Sequence, residues 1–131
     1  MRKITQAWFD AAADDLRAIE CMDGDGALTN IIAFHAQQCV EKSFKALIEE
    51  GEIPVRKTHS LVQLFGIVLE AYGQLSGMDT TLLNLLDQLY TDSRYPNEFG
   101  LLPDGKPTLK EAGLFQQFAK EVYEKCSGLL R

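Results

Sequence analysis

Three groups of residues in this 131-residue chain have types and spacing suited to chemistry on an anion. The first is the run Tyr90, Asp92, Ser93, Arg94, Tyr95 and Pro96. Arg94 carries a planar, permanently charged fork that suits bidentate contact with phosphate. Tyr90 and Tyr95 could stack on a base or donate a hydroxyl, and Ser93 could reach a phosphate oxygen. A purely structural corner uses the same residues, with Arg94 bridging to Asp87 or Asp92, Tyr95 packed and Pro96 stopping the helix. The second group is His35, Gln38, Lys42 and Lys45, which fall in one line on a helix and could border an anion groove. A solvated face carries the same pattern, with Lys45 forming surface ion pairs to Glu41 or Glu49 worth ~0–1 kcal/mol. The third is His59, beside Arg56 and Lys57 at the start of a helix, where free N–H groups and the dipole favour phosphate. A capping histidine bonded locally is the alternative.

These residues need helices to position them, and the sequence supplies five. The first runs from about Thr5 to Cys21, with Trp8, Ala12, Leu16 and Ile19 at helical spacing, and stops at Asp23-Gly24-Asp25-Gly26. The second runs from about Leu28 to Glu50, with Gly51 expected at C′ and Pro54 beyond. Its apolar side is Ile32, Ala36, Cys39, Val40 and Leu47. Thr58 or Ser60 caps the third, where Ser60-Leu61-Val62-Gln63 fits a capping box. That helix frays near Tyr72-Gly73. The fourth opens at Asp79 or Thr80 and is ended by Pro96. Its leucines, Leu82, Leu83, Leu85, Leu86 and Leu89, predict a place at the centre of the core. Asn97 to Pro107 reads as an irregular loop. Thr108-Leu109-Lys110-Glu111 is a second capping box, opening a last helix through Leu114, Phe115, Phe118 and Val122. No segment alternates like a strand. The expected fold is all-α, a single domain over residues 1–131 built as an antiparallel up-and-down bundle of about five helices.

Composition narrows the function classes. The net charge of −6 disfavours bulk binding to duplex DNA, although one cleft can still be basic. No apolar run approaches the ~20 residues of a membrane span, and no signal-peptide core follows Met1-Arg2-Lys3, so a cytoplasmic protein is expected. Cys21, Cys39 and Cys126 are widely spaced and read as reduced, buried thiols. With two histidines and no cysteine pair, neither a metal nor another cofactor is expected.

With the helices placed, three stretches resemble the HEPN domain, a small helical module of prokaryotes that also occurs in higher eukaryotes. They are Phe34-His35-Ala36-Gln37-Gln38-Cys39-Val40-Glu41-Lys42, Thr58-His59-Ser60-Leu61, and Tyr90 to Pro96; Trp8, Asp15 and Leu16 in the first helix fit as well. The resemblance implies an up-and-down bundle, commonly dimeric, often encoded beside a small nucleotidyltransferase as a toxin–antitoxin-like pair. Some members bind nucleotides. Others are metal-independent ribonucleases with an Arg followed a few residues on by a His. Here Arg94 is followed by Glu98, Phe99, Gly100 and Leu101 across that window, with no His. The reading that results is a module binding a nucleotide or RNA phosphate through Arg94, Tyr90, Tyr95, His59, His35 and Lys42, acting as a homodimer with a nucleotidyltransferase partner. No catalytic residue is assigned. A ribonuclease using Arg94 and His59 or His35, and a purely structural dimerisation module, are the alternatives.

Overall fold

The computed structural model describes residues 1–94 and 106–131, with Tyr90–Arg94 as helix backbone. The described residues form five α-helices: α1 (Lys3–Cys21), α2 (Thr29–Glu50), α3 (Leu61–Ala71), α4 (Thr80–Arg94) and α5 (Leu109–Gly128). Short 3₁₀ turns at Gly26–Leu28 and Gly73–Leu75 complete the elements, and there is no strand among the described residues. Tyr95, Pro96 and most of the loop expected from Asn97 to Pro107 lie outside the described residues, as do the side chains of Tyr90, Asp92, Ser93 and Arg94.

α2 is the axis of the bundle and packs against all four other helices. Its buried side carries Ile32, Ala36, Cys39, Val40, Phe44 and Leu47. Around it close Phe9 and Ile19 of α1, Leu64 and Val68 of α3, Leu83 and Leu86 of α4, and Phe115, Phe118 and Val122 of α5. α4 is more peripheral than its leucines imply. Only Leu83 and Leu86, one turn apart, reach full burial, while Leu85 is 41% exposed. Five leucines exceed what one inward stripe of a helix can bury.

α1 begins at Lys3, two residues before its expected start, because a distant carboxylate supplies the cap. The Arg2 N–H donates to Glu50 Oε1 at 2.9 Å, and Thr5 Oγ1 donates to the same oxygen. Those two bonds hold the Glu50 carboxyl below its usual range. In return Arg2 Nη1 donates to the Glu49 carbonyl at 2.6 Å, covering one of the free acceptors at the end of α2. The start of α1 and the end of α2 are therefore clasped together.

The end of α2 differs by one residue from expectation. Gly51 is right-handed, and the left-handed residue at C′ is Glu52, with φ +50°. Glu52 N–H donates to Glu49 O and Ile53 N–H to Ile48 O, the paired bonds of a Schellman turn. Gly51 is needed for closeness instead: a Cβ there would lie 3.2 Å from Ile53 Cγ1. At α5 the expected capping box is present, with Thr108 and Glu111 exchanging side-chain and backbone bonds. Cys39 and Cys126 are buried, as expected of such thiols, whereas Cys21 is exposed. No helix of the described residues is long and apolar enough to cross a membrane.

Candidate functional site

The polar stripe of α2 is neither an open groove nor a solvated face: α1 lies across one side of it. As α1 residue numbers rise, their α2 partners fall, so the two helices run antiparallel. Asp15 of α1 is buried, with Oδ1 2.8 Å from His35 Nδ1 and Oδ2 2.8 Å from Lys42 Nζ. His35 and Lys42 are seven residues apart, hence on one α2 face, which lets a single carboxylate reach both. A carboxylate paired with an ammonium only accepts, so Nδ1 of His35 is the protonated nitrogen.

About a third of a turn round α2 a second buried carboxylate gathers a similar set. Glu41 Oε2 lies 2.9 Å from Lys45 Nζ and 3.1 Å from His59 Nδ1, while Oε1 accepts from Gln37 Nε2 at 3.2 Å. Gln37 in turn accepts from Gln38 at 2.7 Å. Lys45 also sits 5.4 Å from the centre of the Trp8 ring, within cation–π range. The Lys45–Glu41 pair is thus no surface ion pair, since the Glu41 side chain is 5% exposed. Glu41 and Asp15 are the participants that the sequence left unassigned at the site. A usable signal exists: Gln37 and Glu41 share a helical sector with Phe44 and Ile48, so an acid stands in a row that is otherwise buried.

His59 reaches Glu41 because the chain leaves α2 at Gly51 and returns through an extended connection before α3 begins. Ser60 caps α3, accepting from the Gln63 N–H at 3.3 Å. The expected capping box is only half made, however, because Gln63 Oε1 accepts from Thr58 Oγ1 instead. The Ser60 N–H donates to Thr58 Oγ1 at 3.1 Å, and further acceptors come from α4. Asp87 accepts from the Leu61 N–H at 2.7 Å, the Val62 N–H at 3.1 Å and Ser60 Oγ at 3.1 Å. The anion that this helix N-terminus favours is therefore built into the protein, and those N–H groups are occupied.

Asp87 also fixes the register of α4. Arg94 lies seven residues on, on the same face and about two turns, or ~10 Å, further along the axis. Tyr90 to Arg94 form the last turn of α4 itself, so the helix runs on towards the stop expected at Pro96. The extension is compatible with Pro96, which excludes helical geometry only at the residue before it. Of the six expected binding residues, His35 and Lys42 meet at Asp15, while His59 is held apart from them by Glu41. Arg94 and Tyr90 are placed as backbone, and Tyr95 is outside the described residues. Arg56 and Lys57 stand exposed beside His59. Among the described residues no group of three or more His, Cys, Asp or Glu could hold a metal ion.

Chemically, the arrangement offers two imidazoles, each oriented by a buried carboxylate, and two ammonium groups already neutralised by those carboxylates. His59 is the more accessible imidazole, 44% exposed against 28% for His35.

The model of the HEPN domain family matches residues 5–129. No curated protein matches the chain. Among solved structures, the crystal structure of ST0689, an archaeal HEPN homologue, superimposes with a TM-score of 0.71 at 23% identity, covering 100% of both chains. That likeness speaks to the fold, while the family model spans nearly every residue described above. The chain belongs to the HEPN domain family.

Proposed function

We propose that this HEPN domain binds the phosphate of a nucleotide or RNA on the side of α2 reached by His59, Lys42 and the α4 face bearing Arg94, and that it works as a cytoplasmic homodimer with a partner nucleotidyltransferase in a toxin–antitoxin-like pair. One observation carries the reading. The Glu41–His59 bond joins the α2 stripe to the His59 turn, and the Asp87 bonds join that turn to the Arg94 face of α4. These bonds link three sequence-distant segments, α2, the His59 turn and α4. The exposed cations nearest that junction, Arg56 and Lys57, add positive charge to an otherwise acidic chain. Exposed Ile31 and Phe34 on the outer face of α2 are suited to burial against a second copy.

The test is a thermal-shift screen of nucleoside mono-, di- and triphosphates against the wild type, Arg94→Ala and His59→Ala. A ligand at a hundredfold excess over its Kd stabilises the fold by about 2.7 kcal/mol. The expected result is a shift in the wild type that both variants lose. Equal shifts in all three proteins defeat the assignment of these residues.

A second reading has one observation in its favour: each imidazole has the carboxylate partner that orients a general base. As a metal-independent ribonuclease, His59 or His35 would take the proton of a ribose 2′-hydroxyl. The 2′-oxygen would then attack phosphorus, the 5′-oxygen would leave with a proton, and a 2′,3′-cyclic phosphate would remain, with Arg94 stabilising the pentavalent centre. RNA cleavage in EDTA that Arg94→Ala abolishes supports this reading, and intact RNA defeats it.

A further inference from the structure

The connection before α3 and the outer face of α3 border an open groove of about 470 Å³, running from Pro54 to Thr58 on one wall and from Gln63 to Glu70 on the other. We propose that this groove is a nucleoside subsite, taking the base and ribose of a nucleotide whose phosphate lies at the adjoining His59 turn. The proposal rests on the phosphate reading above and adds where the remainder of the ligand goes.

The volume falls in the range of small-ligand sites. One part of the wall is apolar: Ile67 and Val55, the latter 41% exposed. The rest carries complementary polar groups. Arg56 is a donor, Glu70 an acceptor, and Gln63 is left with its NH₂, since its carbonyl oxygen already accepts from Thr58 at 2.8 Å. A flat ring with an apolar face and a rim of donors and acceptors uses all of these. Inorganic phosphate alone would leave the apolar wall in water, and an acyl chain would leave the polar groups unmatched.

Gly66 keeps the groove open. It lies in the middle of α3, where glycine costs about 1 kcal/mol relative to alanine, so the helix gains nothing from it. A Cβ placed there meets no atom within 4 Å, so a side chain at this position enters the groove and disturbs no core contact. Continuity with the phosphate site is direct: Thr58 lines the groove and His59 follows it.

Isothermal titration of the full chain with ATP, GTP and tripolyphosphate, which has no nucleoside, tests the proposal. In the wild type a nucleotide binds more tightly than tripolyphosphate. Gly66→Leu removes that advantage, a loss of about tenfold or more, and leaves tripolyphosphate binding unchanged. Gly66→Ala gives a smaller loss, and both variants melt at or above the wild-type temperature because the substitution raises helix propensity. Tripolyphosphate binding with no gain from any nucleoside, or nucleotide binding to Gly66→Leu as tight as to wild type, overturns the groove alone. Binding of neither ligand class overturns the phosphate reading and the groove together.

Discussion

Asp15 and Glu41 gather the same kinds of partner, a lysine and a histidine, but Asp15 reaches across from α1 while Glu41 belongs to α2 itself. Both bonds of Asp15 cross between helices and lock the α1–α2 pair. Glu41 spends one bond on Lys45, one turn along its own helix, and another on His59, which it fixes against the bundle. The first cluster therefore acts mainly on stability, and the second on the position of one exposed imidazole. Similar chemistry is divided between holding the frame and presenting a group.

Lysine truncation should show the largest effect. Removing one partner of a buried ion pair costs about 3–5 kcal/mol when the other charge stays buried. Lys42→Ala leaves Asp15 buried with His35 alone, so a loss of about 3 kcal/mol is expected in urea unfolding. Asp15→Ala instead leaves two partly exposed side chains that can turn to water, and should cost about 1–2 kcal/mol. Equal losses in the two variants would break the idea that burial of the carboxylate sets the energetics. Lys45→Ala should fall between them, because Glu41 keeps both His59 and Gln37.

The histidines sharpen the contrast from the ligand side. His59→Ala should abolish a nucleotide-induced thermal shift at a cost of roughly 1 kcal/mol in stability. His35→Ala should lower stability by a similar or larger amount and keep more of the shift. A reversal of that order, read from the same melting curves, would move the phosphate site to the Asp15 side.

Alkaline pH probes the Asp15 side by another route. Burial raises the thiols of Cys39 and Cys126 from the ordinary 9.0 to about 12, and the nearby Asp15 carboxylate adds to the effect on Cys39. Between those values the unfolded chain releases protons that the folded chain retains, so raising the pH favours unfolding. The stability linked to these thiols is thus complete below about 9 and is lost as the pH climbs towards 12. Asp15→Asn should flatten this decline through Cys39 and leave the Cys126 part unchanged, measured as unfolding free energy from pH 8 to 11. At acid pH the sign inverts for Glu50: its bonds to Arg2 and Thr5 favour the charged form, so the stability it adds fades as the pH falls below its ordinary 4.5.

How far all this could be read from the residues depends on how local each determinant is. The bundle was legible because helical periodicity and the Thr108–Glu111 box are encoded within a few residues. The N-terminus of α3 was half legible: Ser60 is local, but Asp87 arrives from another helix. The same holds for the start of α1, which depends on Glu50. At the site, His35, Lys42 and His59 could be chosen by type and spacing. Of their carboxylate partners, Glu41 is marked by its place in an otherwise buried row of α2, whereas Asp15 looks like any helix-surface acid until α1 folds against α2.

The junction where α2 hands the chain to that turn offers the smallest and cleanest test. Glu52 holds a left-handed conformation that glycine adopts without strain, while Gly51 beside it is right-handed. Glu52→Gly relieves the strain but also loosens the unfolded chain, and it removes the exposed Arg2 contact at 3.7 Å, itself worth ~0–1 kcal/mol. The net gain should be no more than about 0.5 kcal/mol. Gly51→Ala should do the opposite, because its methyl meets Ile53 at 3.2 Å and must push that side chain away. Neither change touches Asp15 or Glu41, so both should leave any nucleotide-induced shift intact. A lost shift in Gly51→Ala would mean that the return of the chain from α2, and with it the placement of His59 against Glu41, depends on how tightly this turn closes.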